Sequence, residues 1–260
     1  GILEGKISDD KLRVDSTVYE ANIHYPTDSS LLWDSYRVLS RLMRDSNELE
    51  PAYKLGNRFH NKKIKKLYTY ISTHSHNRSK STQRKIKRNY LKLLERTANL
   101  VTVSEFYVQN VRQLGLENPA NYYVEKLEHF IPLAKKVIEQ TRRRILQGES
   151  VPNREKIFSI FEPHTELLKR GKAGKPVEWG HMVTIGQTGE KFISYYDVME
   201  KKEYDNKYTD IVLENHKKQF GSYPEQFTAD RNYYVSMDHV RSWEAKIDNF
   251  SVCKKGKRSL

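Results

Sequence analysis

The sequence predicts an α/β protein, a mixed sheet with helices interrupted by a large all-helical insertion. Three observations carry this. Residues Lys11 to Ile23 alternate with the period of a strand, and about 120 residues after Pro26 follow a helical period. From Val151 onward the texture changes to short apolar runs separated by glycine and proline. The expected division is therefore 1–25 for the first part of the core, 26–150 for the insertion and 151–260 for the rest of the core.

In the first strand Leu12, Val14, Ser16 and Val18 share one face, and Arg13, Asp15, Thr17 and Tyr19 share the other. After Tyr25 and Pro26, Thr27 or Asp28 caps a helix on which Leu32, Tyr36, Leu39 and Met43 recur at intervals of four, three and four, ending near Ser46. A long helix carries Ile86, Tyr90, Leu93, Thr97 and Leu100 on one stripe and stops at Gly115 and Pro119. Another runs from Tyr122 to Leu146 with Leu127, Phe130, Ala134, Val137, Thr141 and Ile145 inward. Pro132 is expected to kink it, and Arg142, Arg143 and Arg144 complement the dipole at its end.

The later strands are expected at Lys156 to Phe161, His181 to Gln187, Lys191 to Val198 and Gln226 to Asp230, with a hairpin turn at Gln187 to Glu190. A helix from Tyr208 to Phe220 turns Ile211, Val212, His216 and Phe220 to the sheet, and a second runs from Met237 to Ile247.

Composition narrows the function. No run approaches 18 apolar residues, no N-terminal segment reads as a signal peptide, and the mean hydropathy is −0.81, so the expectation is a soluble cytoplasmic protein without a membrane span. The one cysteine, Cys253, neither closes a disulfide within the chain nor supplies a cysteine zinc cage. Net charge is +13, and its placement is one-sided: Lys54 to Arg96 holds fourteen basic residues and one acid, Glu95, which accounts for all of it. A solvated helix face interleaves signs, so this block points to a polyanion such as nucleic acid, with Lys62, Lys63, Lys65, Lys66, Arg84, Lys85, Lys87 and Arg88 as candidate DNA contacts.

Chemistry is expected from two aspartates. Open α/β sheets place reactive groups at the carboxyl ends of core strands; Asp230 ends one such run, and Asp15 projects from the first strand. Two facing strand carboxylates suit a shared magnesium ion, which takes one or two carboxylates and fills its other positions with water and phosphate oxygens.

Four runs, DSTVYEANIHYPTDSSLLWD (Asp15 to Asp34), SIFEPHTELLKRGKAGKPVEWGH (Ser159 to His181), FTADRNYY (Phe227 to Tyr234) and KKGKRS (Lys254 to Ser259), resemble the transposases of bacterial insertion sequences. These use a DDE triad on a ribonuclease H-like core. The resemblance spans nearly the whole chain and implies that Asp15 and Asp230 are catalytic metal ligands for Mg2+ or Mn2+. It also implies cleavage at the element's ends, transfer of the freed 3′-hydroxyl into target DNA, a homodimer in the synaptic complex and a nucleoid-associated location. Two departures stand out. Asn232 occupies a turn position where the family has glycine, and asparagine tolerates a left-handed backbone better than most residues. The third acid belongs on a helix beyond KKGKRS, and the sequence ends at Leu260, so the expectation is a fragment that binds DNA and cleaves it little. Glu244 is the nearest substitute. The alternatives are a nuclease of the same fold and a non-catalytic DNA-binding remnant.

Other motifs say less. The stretch from Gly171 to Pro176 lacks the spacing of a phosphate loop, and its Lys172 and Lys175, with Arg170, read either as DNA contacts or as a surface turn. Glu162 and His164 suit a surface turn better than a metal site; His74 and His76 have no carboxylate cluster nearby, and Ser104 and Cys253 have no base partner.

Overall fold

The computed structural model describes residues 7–50, 59–115, 117–169, 174, 176–199 and 203–254. They form two compact units, residues 22–165 and residues 1–21 with 166–260. The first is helical and the second holds a mixed sheet, so the α/β class stands. No helix among the described residues is long and apolar enough to cross a membrane.

The sheet unit begins with β1 (Lys11–Glu20), in which Leu12, Val14 and Ser16 are buried and Lys11, Arg13, Asp15 and Thr17 are exposed. It is three residues shorter at its end than its alternation suggested. Antiparallel to β1 runs β3 (Glu178–Thr188), whose own partners are the short β2 (Glu166–Leu168) and β4 (Ile193–Val198). The other side of β1 pairs in parallel with β5 (Gln226–Ala229), which pairs in parallel with β6 (Asn249–Val252). Chain order thus reverses at β1: β3 and β4 lie to one side, β5 and β6 to the other.

Helix α5 (Tyr208–Phe220) joins β4 to β5 and α6 (Met237–Glu244) joins β5 to β6. Val212, Leu213, Val240 and Trp243 from these helices form one core with Leu12, Val14, Phe227 and Phe250 of the strands. Ile211, expected to face the sheet, is instead 47% exposed, because Val212, Leu213 and His216 define the packed stripe. The β3–β4 hairpin closes as expected, with Thr188 N–H donating to the Phe192 carbonyl and Lys191 taking the left-handed conformation at φ 70°.

In the helical unit α1 (Asp28–Leu49) starts at a capping box formed by Thr27 and Ser30 and runs three residues past the expected stop. Leu32, Tyr36, Leu39 and Met43 are all buried. The basic block forms α2 (Asn61–His74) and the start of α3 (Lys80–Arg112), whose stripe from Ile86 to Leu100 is buried as periodicity required. Helix α4 (Asn121–Thr141) is helical on both sides of Pro132, and the chain then widens into a π turn at Arg142–Leu146. Phe130 and Ile145 are only partly buried.

One expected strand is absent. Lys156 to Phe161 is irregular and belongs to the helical unit, where Ile157 and Ile160 join the core. The Gln140 side chain explains why no partner strand is needed: its Oε1 accepts from Ile157 N–H at 2.9 Å and its Nε2 donates to the Ile157 carbonyl at 3.2 Å. The unit extends to Thr165 rather than to residue 150.

Candidate functional site

The parallel register of β1 with β5 pairs Val14 with Ala229, so Asp15 on β1 and Asp230 just past β5 occupy the next positions. Both are exposed, and both line one open cleft of about 520 Å³ on the side of the sheet away from α5 and α6. The cleft runs along β1 and β5, where the chain order reverses, from Lys11, Gln226 and the β3–β4 turn at the amino end of these strands to Asp15 and to Asp230 just past the carboxyl end of β5. The end that holds the aspartates is the one where open α/β sheets bind ligands.

Local hydrogen bonds orient each carboxylate. Asp15 accepts at Oδ1 from the N–H of Ser16 at 2.8 Å. Asp230 caps the short turn Arg231–Tyr233, accepting at Oδ1 from Asn232 N–H at 2.7 Å and at Oδ2 from the Asn232 side-chain amide at 3.1 Å. Each oxygen retains a further lone pair. Tyr233 follows in that turn, 1% exposed, and its hydroxyl lies 2.5 Å from Ser16 Oγ, which ties the Asp230 turn to the strand bearing Asp15. Burial holds the Tyr233 phenol well above its ordinary range, so it remains a neutral link at physiological pH.

The left-handed backbone expected at Asn232 is not found; Lys191 is the one non-glycine residue with positive φ among the described residues. Asn232 serves through its side chain instead, a role a glycine lacks. Sequence reasoning also missed Lys11, Arg13 and Lys191, three cations lining the cleft with the aspartates. The alternation that exposes Asp15 exposes Lys11 and Arg13 equally, and that was the available signal.

Other candidates lie elsewhere. Glu244 is exposed at the end of α6 and does not line the cleft. Glu162 and His164 sit in a turn of the helical unit. His74 stacks on Tyr70 at 4.1 Å, and Ser104 is buried with its hydroxyl donated to the Leu100 carbonyl at 2.8 Å. Lys54, Arg58, Arg170, Lys172, Lys175 and most of the tail from Lys254 to Ser259 lie outside the described residues. Among those described, no group of three or more His, Cys, Asp or Glu is placed to hold a metal ion.

The basic block forms a second surface. Lys62, Lys63, Lys65 and Lys66 on α2 and Arg84, Lys85, Lys87 and Arg88 on α3 are all exposed. Neither α2 nor the first four turns of α3 contains an acid. Outside the block the arginines of this unit are largely neutralised within the fold, as in Arg112 with Glu128 at 2.7 Å, Arg142 with Glu139 at 3.2 Å and Arg143 with Glu155 at 3.0 Å. Inside it, none of these eight cations forms an ion pair among the described residues. Lys63 lines a groove of about 480 Å³ with Phe59, Lys92 and Arg96, while Lys85 stands 4.5 Å over the Tyr70 ring. The chain matches no family model, no curated protein and no solved structure.

Proposed function

We propose that this chain is a DNA-processing protein of the DDE transposase type, with a ribonuclease H-like core that bears Asp15 and Asp230 and a helical unit that binds DNA through α2 and α3. The observation that carries the reading is that Asp15 and Asp230, each one position beyond the last β1–β5 pair, Val14 with Ala229, line one cleft where chain order reverses. A mixed sheet in which β1 pairs antiparallel with β3 and parallel with β5 is compatible with such a core.

Two exposed carboxylates in an open cleft suit a magnesium or manganese ion that keeps several water ligands. Asp15 and Asp230 would hold it, and when bound it supplies Lewis-acid activation for cleavage of a phosphodiester. The protein's own part is orientation and charge balance. Asn232 and the Tyr233–Ser16 bond fix the Asp230 turn. Arg13, two residues from Asp15 on the same strand face, offsets charge beside the aspartates, and Lys11 and Lys191 at the other end of the cleft meet the backbone farther along the strand of DNA. The eight exposed cations of α2 and α3, which form no ion pair among the described residues, hold the DNA backbone, both at the element's ends and at the target. A homodimer would bring two ends together, and the protein would act in the bacterial cytoplasm at the nucleoid.

The second reading is a DNA-binding protein without cleavage activity, favoured because the cleft groups two carboxylates and the described residues offer no third. Incubation of the chain with labelled duplex DNA and magnesium, resolved for nicked and joined products, separates the readings. Strand joining supports a transposase, nicking alone a nuclease, and binding without either the remnant. Any cleavage should fall by at least about a hundredfold in Asp15→Asn and in Asp230→Asn, since an amide is a neutral and poorer ligand. Cleavage that survives both substitutions would overturn the site.

A further inference from the structure

At the start of α3 an open cavity of about 400 Å³ has Arg84, Lys87 and Arg144 at its rim and Ile86, Tyr90 and Ile145 in its lining, with no acid among its lining residues. Arg84 and Lys87 lie one turn apart on α3, whereas Arg144 comes from the π turn after α4. It lies 48 positions beyond the end of the basic block and belongs to this surface only through the fold. Helical widening of this kind is concentrated at functional sites.

Arg144 is held differently from its neighbours. Arg142 and Arg143 pair with exposed glutamates, but Arg144 donates from Nη1 to Oδ2 of Asp28 at 2.7 Å, and the Asp28 side chain is 5% exposed. Its other oxygen, Oδ1, is buried beside the Thr141 hydroxyl, and neither atom makes a well-formed hydrogen bond among the described residues. A buried carboxylate with one orphaned oxygen costs the fold, and an exposed glutamate would neutralise an arginine at lower cost. What burial adds is a fixed direction for a guanidinium that remains 40% exposed.

We propose that this cavity seats the sugar–phosphate backbone of a nucleic-acid strand, with Arg84, Lys87 and Arg144 on phosphate, the apolar lining against the sugar, and Asp28 as the positioning residue for Arg144. The proposal rests on the reading of the basic helices as a DNA surface and adds a contact outside them. A bare anion would use the cations alone; a sugar–phosphate chain also covers Ile145, the partly buried apolar residue of the lining, over the buried Ile86 and Tyr90. Charge alone and positioning predict opposite signs for Asp28→Asn. That change raises the net charge by one, so a surface acting by charge binds DNA more tightly, whereas a surface that needs an oriented Arg144 binds it less tightly.

Fluorescence anisotropy of a labelled DNA duplex with the full chain, across a salt series, tests this. Arg144→Gln is expected to weaken binding several-fold and to lower the salt slope by about one. Arg144→Lys, which keeps the charge, should recover the slope without the full affinity. Asp28→Asn should weaken binding about two- to fivefold with the slope retained, and Arg142→Gln, at a residue outside the cavity, should leave both unchanged. Thermal midpoints confirm that each variant is folded, and Arg144→Lys carries the test if Arg144→Gln does not fold. Tighter binding by Asp28→Asn, or unchanged binding by Arg144→Gln, overturns the proposal. So does competition by inorganic phosphate beyond that of sodium chloride at equal ionic strength, if Arg144→Gln removes it, because the site then takes a free anion. If the α2 lysines matter and Arg144 does not, only this inference fails; if the unaltered chain binds no DNA, the DNA reading fails with it.

Discussion

His216 is 3% exposed on α5, with Nε2 donating to the Asp9 carbonyl at 3.1 Å and Nδ1 buried without a hydrogen-bond partner among the described residues. Protonation would place a charge on that unpartnered nitrogen, and burial accordingly holds the imidazole below its ordinary 6.5. The unfolded chain therefore takes up the proton first. Stability from this group is complete above pH 6.5 and is lost as the pH falls below that value through the folded-state pKa. His216→Gln keeps a donor and cannot titrate, so the separation between the urea midpoints of the two proteins should be constant above pH 6.5, and the unaltered protein should lose stability relative to the variant as the pH falls below it; curves parallel throughout would exclude this role. Asp28 has the opposite sign. Burial raises its carboxyl above 3.8 against the pull of Arg144, so the folded state protonates first on acidification. Of these residues the sequence marked Asp15 by alternation and Asp230 by its place at a strand end. It was silent on the bond between Asp28 and Arg144, which are 116 positions apart, because nothing local distinguishes that aspartate from an ordinary first-turn acid.

Elements were legible where one face is apolar and misleading where burial has another cause. The stripe of α3 and the alternation of β1 both record a single buried face. Lys156 to Phe161 shows a strand-like apolar run, yet its backbone pairs with the side chain of Gln140, a partner that leaves no periodic trace. Gly180 shows how closely two elements are fitted. It pairs with Glu20 across β1 and β3, and a β-carbon there would stand 2.0 Å from the Tyr19 carbonyl oxygen. Because the obstacle is backbone, relief requires the strands to part. Gly180→Ala is expected to cost about 1–3 kcal/mol, read as a lower urea midpoint with the denaturant slope unchanged. An unchanged midpoint would mean that the β1–β3 pairing yields freely.

For the whole molecule, the net charge and the candidate aspartates are allotted to different units. The net +13 resides in a segment of the helical unit, whereas Asp15 and Asp230 belong to the sheet unit. Replacing Lys62, Lys63, Lys65 and Lys66 with glutamine should reduce the salt slope of DNA binding by about two to four, at roughly 0.9 per lost phosphate contact. The same change should leave the thermal midpoint within a few degrees, since these side chains are exposed and form no ion pairs among the described residues. An unchanged slope would remove α2 from the interface. The division also has a consequence during synthesis. β1 leaves the ribosome first, but its partner β3 begins about 160 residues later, a delay of roughly 10–30 s at about 5–20 residues per second. The helical unit is contiguous in sequence and is complete before that partner exists. Throughout the wait, Leu12 and Val14 stand on an unpaired strand whose intervening residues are Lys11, Arg13 and Asp15. Alternating charges of this kind discourage edge-to-edge pairing with another nascent chain. The aspartate proposed as a metal ligand would thus have an earlier use against aggregation, and neutralising it together with Lys11 and Arg13 should lower soluble yield even where the completed fold is equally stable; an unchanged yield would exclude it.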